Sequence, residues 1–156
     1  MNLVLSAIVL AQSAFGPLLS ATQWLGDRPT AASFAGKVVI VDIFTFGCIN
    51  CKHVVPELRA LHKNYSARDV LIVGIHTPET PYERAQSNVA RALAEQGISW
   101  PVATNNDHRL WNAYGAEYWP TQLIFDRRGT LRKTIIGEGR DAEVASTVAA
   151  LVKQRV

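Results

Sequence analysis

One apolar run limits the possible folds of this chain more than any other feature. Residues 37–45 read Lys-Val-Val-Ile-Val-Asp-Ile-Phe-Thr, with β-branched residues at most positions and no alternation of polar and apolar side chains. A run of this kind is typical of a β-strand that is covered on both faces. Because such strands lie at the centre of sheets with helices on both sides, the run predicts an α/β fold.

The rest of the chain alternates helix-like and strand-like segments. Helical periodicity covers residues 50–65, and residues 70–76 form a second apolar run. Further along we predict a helix over 83–96, a short edge-like strand over 100–103, a short helix over 107–114, a hairpin of strands 121–126 and 131–136, and a helix over 142–152. This order predicts two parallel strands whose carboxyl ends meet at one edge of the sheet, where sites in α/β folds commonly lie.

The only two cysteines, Cys48 and Cys51, are three residues apart in a Cys-Ile-Asn-Cys turn between the first apolar run and the helix that follows it. At a helix start this spacing brings two sulfurs within bonding distance, and the free N–H groups of the first turn favour a thiolate on Cys48. A structural disulfide this short would constrain the unfolded chain little, and a structural zinc ion needs about four ligands. The turn therefore favours a redox role, with Ile49 and Asn50 tuning the pair.

Two polar side chains are expected near the cysteines. Asp42 interrupts the first apolar run, where an ionised carboxylate is costly to bury, so it either acts on the cysteines or reaches solvent at the end of the strand. His76 ends the second run, at the edge where the cysteines are expected. We expect His76 either to tune the site and contact partners or to cap a loop.

Composition limits the function classes. A chain of 156 residues with 48% hydrophobic residues is long enough for one domain with a single core. The net charge is +3, and the basic residues are scattered along the sequence. A nucleic-acid-binding protein would concentrate them on one face, so we predict no nucleic-acid partner.

The first fourteen residues differ from the others, since they are mostly apolar and contain no charged side chain. Three interpretations of residues 1–14 stay open: a secretory signal, the remnant of a membrane anchor, or an ordinary buried strand. We favour export or anchoring, which leaves residues 15–156 as the folded domain and locates it outside the cytoplasm.

Several motifs together resemble the thioredoxin superfamily. Residues 41–51, Val-Asp-Ile-Phe-Thr-Phe-Gly-Cys-Ile-Asn-Cys, and the Pro-Glu-Leu at 56–58 are similar to its active-site strand and helix. Five further segments resemble, in the same order along the chain, signatures of extracytoplasmic proteins of the TlpA/ResA type, and especially of the thioredoxin-like domain of DipZ-type proteins. These segments are residues 74–79, 100–103, 111–114, 118–121 and 137–139. The resemblance covers about residues 20–152. It implies a thioredoxin fold, with a central mixed sheet flanked by helices, an extra N-terminal segment and a helical insertion after the second parallel strand.

The resemblance also implies roles for individual residues. Cys48 would be the nucleophile and Cys51 the resolving cysteine, with Asp42 as a buried acid that accepts the proton of the Cys51 thiol. A cis bond between Trp119 and Pro120 would face the cysteines.

Together with Thr121, Trp119 and Pro120 would then form the binding site for an extended substrate peptide.

By resemblance the chain is a protein-disulfide oxidoreductase that reduces protein disulfides in the periplasm, as in cytochrome c biogenesis, and works as a monomer. It would need no metal and no cofactor besides the Cys48–Cys51 disulfide. Its electrons would come from a membrane donor of the CcdA or DsbD type.

Two alternatives stay open. One is a peroxidase-like redoxin, although the Pro-x-x-x-Thr-x-x-Cys pattern of that chemistry is absent from the sequence. The other is a Sco-like copper-binding chaperone that would use Cys48, Cys51 and His108 as ligands.

Overall fold

A six-stranded mixed sheet forms the centre of the computed structural model, which describes residues 14–156. In chain order the elements are β1 (Trp24–Leu25), α1 (Ala31–Phe34), β2 (Val38–Phe44), α2 (Ile49–Asn64), β3 (Val70–His76), a 3-10 turn (Pro81–Arg84), α3 (Gln86–Gln96), β4 (Val102–Thr104), α4 (Arg109–Ala113), β5 (Thr121–Phe125), β6 (Leu131–Ile136) and α5 (Asp141–Val152). Residues 14–19, at the start of the described chain, are also helical.

The predicted signal or anchor segment, residues 1–14, lies outside the described residues except for Ala14. Among residues 14–156, no helix has both the length and the apolar composition that a membrane span requires.

The strands lie in the order β1-β4-β3-β2-β5-β6. Strands β2, β3 and β4 are parallel neighbours, whereas β1, β5 and β6 pair antiparallel with theirs. The sheet is therefore mixed, as predicted, and the carboxyl ends of β2 and β3 meet at one edge. Between β3 and β4 the chain forms the predicted helical insertion.

Strand β2 is buried along its whole length, as its apolar run predicts. Its alternate residues enter two cores: Val38, Ile40 and Phe44 pack on the face that also contains Cys51, and the intervening residues pack on the other face against the N-terminal helical segment. Asp42 alternates along β2 in step with Ile40 and Phe44, so its side chain points to the same face of the sheet as theirs. Its carboxyl group therefore lies on the face of the sheet that carries the cysteine helix.

Two predicted elements differ from the structure near the insertion. We predicted a helix beginning at residue 83, but α3 begins at Gln86, because the Glu83 side chain accepts hydrogen bonds from the backbone N–H groups of Glu79 and Thr80 and closes a separate 3-10 turn. The predicted edge strand at 100–103 is β4, and it is not an edge, since β1 pairs with its outer side.

The short helix α4 begins later than predicted. His108 adopts a left-handed conformation with φ of 60°, so the helix starts at Arg109, although the Asp107 carboxylate still accepts a hydrogen bond from the Arg109 N–H at 3.1 Å. The hairpin of β5 and β6 and the closing helix α5 agree with the prediction to within a residue or so.

Gly74 in β3 has no side chain, and the side chains of Val102 and Phe44 fill the space beside it. A Cβ at this position would lie 2.9 Å from Val102 Cγ2 and 3.0 Å from Phe44 Cε1, which are both buried. We expect Gly74→Ala to lower the free energy of unfolding by about 1–3 kcal/mol, because the overpacked core has to shift. Urea denaturation measures the change.

Gly16→Ala is the matched control for this prediction. No atom lies within 4 Å of a Cβ built on Gly16, and the residue belongs to the helical segment 14–19. Alanine should leave the stability unchanged there or raise it by up to about 1 kcal/mol. Equal stability of Gly74→Ala and the unaltered protein would contradict the packing argument.

Candidate active site

The two cysteines lie at the carboxyl end of β2, at the start of α2. Cys48 is the N-cap residue of α2, and its Sγ accepts a hydrogen bond from the Cys51 N–H at 3.1 Å. Cys48 is half-buried, whereas Cys51 is only 2% exposed. The first sulfur is therefore the one that an incoming group can reach, and the second lies behind it in the core.

Burial controls the acidity of the groups behind Cys48. It raises the pKa of the Cys51 thiol, and a hydrogen bond to Cys48 adds to the rise, as do the nearby charges of Cys48 and Asp42. Burial also raises the pKa of the Asp42 carboxyl group to about 7. Asp42 is 1% exposed, and its Oδ1 has no hydrogen-bond partner among the described residues. A buried acid that exchanges its proton near neutral pH thus lies on the cysteine side of the sheet.

The Trp119–Pro120 bond is cis, as predicted. Strand β5 runs antiparallel to β2, so its first residue, Thr121, pairs with Ile43 near the carboxyl end of β2. Pro120 and Trp119 therefore lie at the sheet edge that carries the cysteines. Trp119 is partly buried against the same core as Cys48.

Hydrogen bonds and packing fix the Trp119 side chain. Its Nε1–H donates to the Thr77 carbonyl at 3.0 Å, and its ring centroid lies 4.2 Å from that of Trp111. The backbone N–H and C=O of Trp119 bond to no other main-chain group in the described part of the chain. The Pro120 carbonyl, in contrast, already accepts the N–H of Gly137 at 2.9 Å.

The two residues between the cysteines lie at the surface. Ile49 is 61% exposed and Asn50 is also exposed. The side chain of Tyr118, the residue before Trp119, is exposed as well. A group that approaches Cys48 therefore meets the Ile49 and Asn50 side chains on the first turn of α2.

His76 is fully buried and supports the loop that leads to Cys48. Its Nε2 accepts the Phe46 N–H at 3.3 Å and lies 3.3 Å from the Thr45 hydroxyl, and its ring stacks on the Phe46 ring. Burial lowers the pKa of His76 to about 4, so the imidazole is neutral at neutral pH. Direct contact with partners, which we considered from the sequence, is excluded by this burial, and the loop-capping interpretation fits the hydrogen bonds.

Sequence reasoning missed the carboxylate of Glu83, which lies next to His76. Glu83 Oε2 accepts a hydrogen bond from the Thr45 hydroxyl, with the two oxygen atoms 2.7 Å apart. Glu83 is only 4% exposed. A sequence signal was present, since Thr80 and Glu83 have the Thr-x-x-Glu spacing of a capping box. The pattern of residues 83–96 instead predicts Glu83 as the first residue of a helix.

A second contact joins two segments that flank the cysteines. The Glu138 carboxylate contacts the Nδ1 of His53, which lies near the start of α2. Residues 137–139 thus bond to the cysteine helix through Glu138 and to the cis-proline segment through Gly137.

The copper-chaperone alternative needs Cys48, Cys51 and His108 in one place. Within residues 14–156 no three side chains of the His, Cys, Asp and Glu types are grouped in a way that could hold a metal ion. The imidazole of His108 instead packs near Trp111, with ring centroids 6.2 Å apart.

The fold agrees with comparisons to known proteins. The model of the Redoxin family matches residues 20–151. DipZ of Mycobacterium tuberculosis is 37% identical over 131 residues, which are 81% of this chain and 19% of DipZ, so the chain spans only about a fifth of that relative's length. Thiol-disulfide oxidoreductase YkuV of Bacillus subtilis is 26% identical over 110 residues, 70% of this chain and 74% of YkuV.

Solved structures show the same fold. A thiol-disulfide isomerase from Corynebacterium glutamicum superposes with a TM-score of 0.78 at 23% identity and covers 86% of this chain and 94% of its own. The family match extends over most of the chain and includes both cysteines, Asp42 and Pro120. The chain therefore belongs to the Redoxin family and has the thioredoxin fold of its superfamily.

Proposed function

We propose that this chain is a thiol–disulfide oxidoreductase that exchanges its Cys48–Cys51 pair with disulfides of protein substrates. The observation that carries the proposal is the arrangement of the two sulfurs, with a reachable Cys48 at the helix N-cap and a buried Cys51 whose N–H points at the Cys48 sulfur. An accessible nucleophile with a protected second thiol behind it is what two-step disulfide exchange requires.

The reaction proceeds through a mixed disulfide. The Cys48 thiolate attacks one sulfur of the substrate disulfide, and the other substrate sulfur leaves as a thiolate. Cys51 then loses its proton and attacks the Cys48 sulfur, which releases the second substrate sulfur and leaves a Cys48–Cys51 disulfide. The substrate gains two electrons, and the dithiol of the protein loses two.

Asp42 supplies the proton acceptor for the second step. The Cys51 thiol is buried and its pKa is raised, so it needs a base to form a thiolate. Asp42 lies on the same face, interacts with Cys51 electrostatically and has a pKa of about 7. A carboxyl group of that acidity is able both to accept a proton near neutral pH and to release it afterwards.

The substrate binds beside Cys48 along the segment formed by Trp119, Pro120 and Thr121. The free backbone groups of Trp119 suit a short stretch of extended peptide. The exposed side chains of Ile49 and Asn50 lie next to the reacting sulfur, where they would set its potential and contact the substrate.

The direction and the setting follow from the resemblance to TlpA/ResA-type proteins. We place the protein outside the cytoplasm as a reductant of protein disulfides, with cytochrome c biogenesis among its pathways. A membrane protein of the CcdA or DsbD type would re-reduce the Cys48–Cys51 disulfide, which serves as the only redox group. The protein would act as a monomer, and its N-terminal residues would export or anchor it.

Substitution of each cysteine should separate the two steps. We expect Cys48→Ser to abolish insulin reduction in the presence of dithiothreitol, because no nucleophile remains. Cys51→Ser should keep the first step and accumulate mixed disulfides on Cys48, because the resolving thiol is missing. Non-reducing electrophoresis and mass spectrometry measure the adducts.

Cys48→Ser is the control for trapping and should accumulate no adduct. Adducts on Cys51 in that variant would contradict the assignment of the nucleophile. Consumption of peroxide by the unaltered protein, without insulin reduction, would favour the peroxidase-like alternative.

Asp42→Asn should slow the second step and leave the first one intact. With Ellman's reagent, the first thionitrobenzoate is released when Cys48 attacks and the second when Cys51 resolves the adduct. We expect the second release to slow roughly 10–100-fold, because the proton acceptor is lost. In the unaltered protein this step should accelerate as the pH rises through about 7, where Asp42 ionises, and the variant should lack that dependence. Stopped-flow absorbance measures both phases.

The same substitution should stabilise the fold in alkaline solution. Because the pKa of Asp42 is raised from 3.8 to about 7, the native state retains a proton that the unfolded chain releases, and stability is lost as the pH rises between those values. Asparagine removes this loss, so Asp42→Asn should be more stable at about pH 8 by a few kcal/mol, and equally stable at about pH 4. Urea denaturation at both pH values measures the difference.

Asp27→Asn, at an exposed carboxylate, is the matched control and should change neither measurement. An unaltered second phase in Asp42→Asn would refute the role of Asp42 in resolution.

A further inference from the structure

Glu83 holds a buried negative charge beside the active-site loop. Its Oε2 accepts three hydrogen bonds, from the Thr45 hydroxyl at 2.7 Å and from the N–H groups of Glu79 at 2.7 Å and Thr80 at 3.2 Å. Burial alone would raise the pKa of Glu83, but these hydrogen bonds outweigh it and leave the pKa below its usual value. The carboxylate is therefore ionised throughout the neutral range.

No cation within residues 14–156 neutralises this charge. Among the described residues Glu83 forms no ion pair, and the neighbouring His76 is neutral at neutral pH. Lys52 and Arg91 line the same cavity, but neither is within salt-bridge distance of Glu83, and Arg91 donates to the Tyr82 hydroxyl at 2.8 Å instead. A buried charge without a cationic partner is costly, so the position of this carboxylate calls for an explanation.

The second carboxylate oxygen faces the residue before Cys48. Glu83 Oε1 makes no hydrogen bond within the described chain, and a Cβ built on Gly47 would overlap it. The carboxylate thus occupies the space that a side chain at position 47 would fill. Glu83 also lines a cavity of about 290 Å³, together with Phe46, Gly47 and Lys52 among others. The negative charge therefore lies at the N-terminal end of α2, where Cys48 is the cap.

We propose that Glu83 is a positioning residue that acts through its charge on Cys48, destabilises the Cys48 thiolate and makes the Cys48–Cys51 pair a stronger reductant. The N-terminus of α2 favours a thiolate on Cys48, and a second negative charge at the same end opposes it. The proposal rests on the thiol–disulfide exchange proposed above. It adds a residue that sets the direction of that exchange.

The effect on the redox equilibrium follows from the balanced reaction. The protein disulfide and two glutathione thiols give the protein dithiol and one glutathione disulfide. A less stable thiolate in the dithiol moves this equilibrium towards the protein disulfide, which lowers the reduction potential. Asp42, whose charge acts on the Cys51 thiol, is left unaltered by a substitution at Glu83.

Glu83→Gln tests the proposal with little change in structure. The single carbonyl oxygen of glutamine is able to accept the same three hydrogen bonds as Oε2, so the variant loses the charge and keeps its donors. We expect the equilibrium constant for reduction by glutathione to rise roughly three- to tenfold at about pH 8, which is a potential higher by about 15–30 mV. A role limited to holding the loop would leave the potential unchanged in this variant, because the hydrogen bonds to Thr45, Glu79 and Thr80 are kept.

Two further variants sharpen the test. Glu95→Gln removes the same charge from an exposed position on the rim of the same cavity, and the potential should stay unchanged because solvent screens that charge. Glu83→Asp keeps the charge but withdraws it from Gly47 by one methylene group, and the potential should rise by less than in Glu83→Gln.

The outcomes separate this inference from the proposed function. A protein in which Cys48 and Cys51 form no reversible disulfide would refute the proposed function and this inference together. A reversible pair whose potential is the same in the unaltered protein, Glu83→Gln and Glu83→Asp would overturn only the inference. An equal shift in Glu95→Gln would also overturn it, because the effect would then belong to any charge on the cavity.

Discussion

The burial of strand β2 on both faces is the constraint on which the site depends. Because β2 lies between β3 and β5 and is covered on each side, its carboxyl end is held in a fixed place, and the chain has to leave the sheet there. The turn that follows starts α2 with Cys48 as its cap. The antiparallel pairing of β5 then brings Pro120 to the same edge. The burial of the apolar strand β2 thus fixes the positions of Cys48 and Pro120 relative to each other.

Two buried carboxylates lie near the cysteines, and their environments give them opposite acidities. Asp42 has an unpaired oxygen in the core, so burial dominates and its pKa rises to about 7. Glu83 accepts three hydrogen bonds at one oxygen, which hold its pKa below the usual value. One acid is thus suited to exchange a proton and the other to keep a constant charge. The two carboxyl groups differ in acidity because hydrogen-bond donors surround Glu83, whereas Asp42 Oδ1 has none among the described residues.

The sequence was sufficient for features that local chemistry determines and insufficient for those that tertiary contacts determine. The β-branched run predicted β2, and the Cys-x-x-Cys spacing with its resemblance predicted the fold, the position of Cys48 and the cis bond at Pro120. The start of α3 was wrong because the Glu83 side chain turns back onto the preceding backbone. Likewise β4 looked like an edge strand because its partner β1 has only two residues, too few for a periodic pattern.

The hydrogen bond from Gly137 to the Pro120 carbonyl has a consequence for recognition. Since that acceptor is already used, a peptide bound as in the proposed function would find the free main-chain groups of Trp119 and few others along this segment. Such a short ladder gives little affinity and reads no particular sequence. If the proposed function holds, such a protein would bind many disulfides weakly and release each product quickly, and its preference among substrates would depend on the chemistry of their sulfur atoms more than on the shape around them.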